Sequence, residues 1–136
     1  AYLNGGNIEV YGNGQEAVGN TMGGGLVTIH GHVGDTLGYA MRDGDIFVEK
    51  RAGSRAGIHM KEFHELLPVV VIGGVAGAFL GEYMAGGILI VSDSTIRKSC
   101  RLSDRIVPPV CTAVEYSYAV RCRRRIYRSI YCRKRA

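Results

Sequence analysis

The sequence predicts an all-β fold, a parallel β-helix with a single short strand in each Gly-rich coil of about 19 residues. Three observations carry this. Met22, Met41 and Met60 are spaced by 19 residues, and so are Gly19, Gly38 and Gly57, and Gly6, Gly25 and Gly44. Short runs of alternating apolar residues recur between these markers. Residues 1–57 contain no Gly-free stretch of ten residues, which leaves no room for the crossover helices that parallel strands otherwise need.

The strands follow in order. Ile8/Val10, Val27/Ile29, Ile46/Val48, Val70/Ile72 and Leu89/Val91 alternate with other residues, which points one face of each strand inward. The fourth strand arrives after an insertion of five residues: Gly53 and Gly77, Gly57 and Gly81, and Met60 and Met84 are each 24 apart. Two further columns are small or apolar, Gly14/Val33/Ala52/Ala76 and Val18/Leu37/Ala56/Leu80. Each coil thus reads as a strand, then G-x-x-G-x-x-x-G, then x-x-Met, shown in full by Gly31 to Gly38 and Gly74 to Gly81. Gln15 and Lys50 stand where Gly is otherwise usual and read as tolerated corners.

Equivalent side chains stack about 4.8 Å apart, the spacing of paired strands. Each large side chain so buried contributes roughly 1.5–3 kcal/mol relative to exposure. Met22, Met41, Met60 and Met84 suit such an interior because a thioether chain bends to fill irregular gaps. Gly19, Gly25, Gly31, Gly34, Gly38, Gly44, Gly53, Gly57, Gly77 and Gly81 mark corners where a positive φ or close backbone approach would penalise a Cβ. These are structural positions; no catalytic, cofactor-binding or metal-binding residue is singled out.

At 136 residues the chain suffices for one core, but it has two unlike halves. All 20 Gly lie between Gly5 and Gly87, whereas Cys100, Cys111, Cys122 and Cys132 all follow. Residues 1–91 carry five Lys/Arg against nine Asp/Glu, and residues 92–136 carry twelve against three. The net charge of +5 therefore describes a tail rather than the domain. The expected division is a repeat domain over 1–91 and a basic Cys/Arg-rich tail over 92–136. No apolar run is long enough for a membrane helix, no secretory pattern opens the chain, and a cytoplasmic location is the expectation. Beginning at Ala1 without Met, the chain is expected to be processed or part of something longer.

Candidate chemistry weighs less than its structural alternative. Val69 to Gly77 resembles a dinucleotide-binding turn, with Asp93 near the position of a ribose-binding acid. Against it, Val75 replaces the second Gly, Gly81, Gly86 and Gly87 break any crossover helix, and the same Gly spacing recurs in other coils. His59, Glu62, His64 and Glu65 lack H-E-x-x-H spacing, and a short helical bulge with Phe63 and Leu66 covering the core is expected instead. His30 and His32 flank Gly31 and are expected on a solvent face. The four Cys, spaced 11, 11 and 10, fit no zinc pattern.

Residues 6–91 resemble the GXGXG-motif domain at the C-terminal end of the glutamate synthase large subunit, above all its separately encoded archaeal and bacterial forms. The resemblance rests on Gly53-Ser-Arg-Ala-Gly57-Ile-His-Met-Lys-Glu, Pro68-Val-Val-Val-Ile-Gly-Gly-Val-Ala-Gly77 and Phe79-Leu-Gly-Glu-Tyr-Met-Ala-Gly-Gly87. It implies a right-handed β-helix that holds glutaminase and synthase parts in place and carries no catalytic residue. FMN and iron–sulfur clusters are then expected on partner subunits, with none on this chain. Self-association through the solenoid ends is a further expectation, since exposed strand edges need a cap or a neighbour. The domain is also similar to a structural component of formylmethanofuran dehydrogenase, a second scaffold reading. From other classes come a hexapeptide-repeat acyltransferase, whose coils run on multiples of six, and a nucleic-acid binder acting through the Arg-rich tail.

The repeat stops abruptly after Val91: Ile96, Cys100 and Ser103 stand where Gly, Gly and Met are due. A reading-frame shift accounts for this. With permitted codons, Cys111 to Val120 regroups into Met-His-Gly-Gly-Gly-Ile-Phe-Ile-Arg-Gly, another coil of the repeat. Under that reading residues 92–136 are poorly ordered or packed adventitiously, and their positive charge carries no functional message.

Overall fold

A computed structural model describes residues 2–92 together with the backbone of 112–114 and 117–122. Five parallel strands, β1 (Asn4–Val10), β2 (Gly23–Ile29), β3 (Asp43–Val48), β4 (Val69–Ile72) and β5 (Gly87–Val91), stack in chain order as successive turns of a β-solenoid. The register follows the repeat. Ile8 pairs with Val27, Val27 with Ile46, Ile46 with Val70, and Val70 with Leu89. On a second face Val33, Ala52 and Ala76 form parallel bridges. Two further strands, β6 (Thr112–Val114) and β7 (Ser117–Cys122), extend the sheet beyond β5, with β7 antiparallel to β5 and β6 antiparallel to β7 at the edge. The readings of Asp93 and of the frame after Val91 fall largely outside the described residues.

The interior is one dry column. Met22, Met41 and Met60 are fully buried, Met84 nearly so, with Ile29, Leu37, Ile46, Val70, Ile72 and Leu89 beside them in one cluster. Among the described residues no buried side chain is polar or charged. From β2 to β5 the inward-facing side chains are buried against apolar neighbours, and the backbone groups pair from coil to coil.

The predicted glycines serve two different needs. Gly19, Gly25, Gly38, Gly44, Gly57 and Gly81 have positive φ. Gly31, Gly34, Gly53 and Gly77 do not; a Cβ there would meet the coil beneath, as at Gly77, 2.7 Å from Ser54 N. Val69 to Gly77 shows the same logic: β4 is followed by a bend and no helix, so the dinucleotide-binding arrangement does not form.

The corners hold something unpredicted. Around each of four corner glycines, the residues two before and two after it are also left-handed: Ala17 and Thr21, Thr36 and Ala40, Arg55 and His59, Phe79 and Tyr83, with φ between 51° and 61°. Such a conformation costs about 1–2 kcal/mol for a residue bearing a Cβ. A hydrogen-bond alternation holds it in place. Thr36 N and Ala40 N donate forward to Ser54 O and Ile58 O, at 2.9 and 2.8 Å, while Gly38 N between them donates back to Val18 O at 2.8 Å. A right-handed residue would turn its N–H away from the next coil and leave that carbonyl unpaired.

The insertion is not a helical bulge. Phe63 and Leu66 exchange backbone hydrogen bonds of 3.1 and 2.9 Å across a tight hairpin turn in which His64 has φ 53°. Neither covers the core: Phe63 is 64% exposed and Leu66 42%. Five residues are too few for a stable helix yet enough for two facing residues and a turn.

Candidate docking surface

The outer face of the sheet changes character along the stack. Outward positions are Asn7 and Glu9 on β1, Leu26 and Thr28 on β2, Asp45 and Phe47 on β3, Val69 and Val71 on β4, and Ile88 and Ile90 on β5. Phe47 pairs with Val71, and Val71 with Ile90, so an apolar ladder crosses three coils outside the core. Phe47 is 41% exposed, and Val69, Val71, Ile88 and Ile90 are each partly exposed. Strands apolar on both faces are those that packed layers cover on both sides. The signal was present in Val69-Val-Val-Ile72 and Ile88-Leu-Ile-Val91, which do not alternate, but reading them only for the inward face passes over it.

A second apolar strip follows the left-handed corners. Tyr39 meets the His59 ring edge-on at 5.7 Å, and His59 stacks on Tyr83 at 5.2 Å. The Arg55 guanidinium lies 5.6 Å over the Phe79 ring. Phe79 and Tyr83 are both well exposed and both left-handed. Bulky aromatic side chains at strained, exposed positions add no core packing, the pattern expected where strain serves a contact.

The residues singled out for metal binding do not converge. His59 is sandwiched in the aromatic strip, Glu62 accepts a hydrogen bond from Gly87 N at 3.3 Å, and His64 lies against Phe63 at the hairpin tip. Among the described residues no group of three His, Cys, Asp or Glu side chains is placed to hold an ion.

His30 is more than a solvent-facing residue. Its Nε2 lies 2.8 Å from Glu9 Oε1 and its Nδ1 3.2 Å from Glu49 Oε2, with the Tyr11 ring stacked at 4.9 Å. Both ring nitrogens face acceptors, so the doubly protonated imidazolium fits best. The bond to Glu9 chiefly, and that to Glu49, push the His30 pKa up; the bond to His30 chiefly holds the Glu9 carboxyl down. Glu49 sits one period from His30 and was legible as a partner. Glu9, 21 residues away, is off the period and was not.

The GXGXG motif family matches residues 1–100. The chain belongs to that family. A protein of Methanocaldococcus jannaschii, itself uncharacterized, is 68% identical over 90 residues, covering 66% of this chain and 34% of the relative. This GXGXG chain therefore spans about a third of that relative's length. No solved structure matches it.

Proposed function

We propose that this GXGXG chain is a non-catalytic scaffold of a glutamate synthase-type assembly and docks its partner through the outer face of β3–β5. The ladder Phe47–Val71–Ile90 carries the reading: it is an apolar sheet face that lies outside the core and stays partly exposed among the described residues. Family membership supports the choice of partner class. The partners are the glutaminase and the FMN- and iron–sulfur-bearing synthase subunits, and the assembly makes glutamate from glutamine and 2-oxoglutarate in the cytoplasm.

In this role the solenoid supplies rigidity. Every coil is tied to its neighbours by backbone hydrogen bonds at strand and corner, and among the described residues the core cluster is made of apolar side chains alone. A stiff rod with apolar strips on its surface can hold two larger bodies at a set separation.

The test is co-elution of the purified chain with purified glutaminase and synthase subunits from the same source. A complex that Phe47→Glu abolishes supports the reading. Elution of the unaltered chain alone, at concentrations well above those of a standard-sized interface, overturns it.

A further inference from the structure

The strained corners carry cations as well as exposed rings. Arg55 stands one coil before Phe79, His59 one coil before Tyr83, and Arg42 one coil before Lys61, each pair a repeat apart. All six are exposed, and each adjoins an inward residue, as His59 and Lys61 flank the buried Met60. Gly or Asn would meet the left-handed backbone of Phe79 and Tyr83 with less strain, so the fold itself does not call for rings there.

Charge marks the same place. Every Lys and Arg of residues 1–91 falls between Arg42 and Lys61, within a single coil. Among the described residues the ion pairs are those of His30, and none involves these cations. Carboxylates of this region are turned to the backbone instead. Asp35 Oδ1 accepts from Ser54 N at 2.7 Å, Asp43 Oδ1 from Leu67 N at 3.1 Å, and Glu62 Oε2 from Gly87 N at 3.3 Å. Glu82, beside Tyr83, has no such bond among the described residues and opposes an anion bound there.

The Arg55 guanidinium lies 5.6 Å over the Phe79 ring. Contact with a ring face steadies its fork of N–H donors without consuming them, and a planar carboxylate pairs with such a fork through two parallel bonds. Arg beside exposed aromatic rings is also the composition on which protein contacts concentrate their binding energy.

We infer that this corner strip binds an acidic segment of the partner protein, its carboxylates on Arg55 and Lys61 and its apolar side chains against Phe79 and Tyr83. The identity of the partner rests on the function proposed above; the chemistry of the segment rests on the strip. Cations confined to one coil match a short acidic segment. They do not follow a nucleic-acid backbone, whose affinity is built from many phosphate contacts.

Calorimetric titration of the full chain into the purified glutaminase and synthase subunits tests this. Arg55→Glu and Phe79→Gly should each weaken the complex more than about tenfold. Affinity of the unaltered chain should fall with rising salt, and that of Arg55→Glu much less. Glu82→Gln, which removes the opposing charge, should tighten the complex. Should Arg55→Glu fail to fold, Arg55→Gln takes its place. A smaller loss with either variant, or a weaker complex with Glu82→Gln, overturns the inference and leaves the scaffold reading standing. Absence of any complex with the unaltered chain removes both. Binding of a single-stranded oligonucleotide that Arg55→Glu abolishes reassigns the strip and likewise overturns the inference.

Discussion

His30 Nε2 and Glu9 Oε1 stand 2.8 Å apart and join the second coil to the first on the solvent face. His30 has its pKa raised above the ordinary 6.5, so its contribution is complete below that value and lost as pH rises through the folded pKa. Glu9 has its pKa lowered below 4.5, so its contribution is complete above that value and lost as pH falls through the folded pKa. The pair therefore favours the folded state most between pH 4.5 and 6.5. Proton NMR titration should place His30 above a free histidine, and Glu9→Gln should lower its midpoint. An unmoved midpoint would remove the clamp.

Met41 is fully enclosed by coils above and below, whereas Phe47 faces out. Met41→Ala should lower unfolding free energy by about 2–5 kcal/mol, because the rigid stack collapses poorly around the lost volume. Phe47→Ala should cost far less. Urea unfolding with unchanged m-values would compare them, and equal losses would contradict the assigned faces.

Gly44 combines a φ of +88° with close approach, since a Cβ would lie 2.7 Å from Gly25 O. Gly44→Ala should destabilise by about 1–3 kcal/mol from backbone strain alone, with the steric conflict added. At Gly53, where φ is not positive, a Cβ would still approach Asp35 N to 2.8 Å. Thermal unfolding of both Ala variants should therefore show losses. A neutral Gly53→Ala would mean the coils can part slightly.

Phe79 spends left-handed strain on an exposed ring. Phe79→Gly relieves about 1–2 kcal/mol and loses the Arg55 contact, about 0.5–1 kcal/mol, together with chain stiffness in the unfolded state. The melting temperature should change little. A large fall in it would show that the ring is structural.

Much of the architecture was written in the sequence. The 19-residue columns specified the stacking, because parallel coils put side chains of equal phase over one another, and Met22, Met41 and Met60 in the interior follow directly. Elements without a period were less legible. Phe63 and Leu66 looked like core covers because both are apolar, but whether an apolar residue turns in or out of a five-residue insertion depends on the turn its neighbours permit.

What the sequence alone determined was the pitch of the coil, the inward columns and the places where a Cβ cannot go, since all three repeat along the chain. What only the tertiary structure decided was the left-handed conformation of residues such as Phe79 and Tyr83, the bridge from Glu9 to His30, and the apolar ladder left outside the core. Each depends on hydrogen bonds or contacts between coils that exist only once the stack has formed. No local preference of those residues announces them.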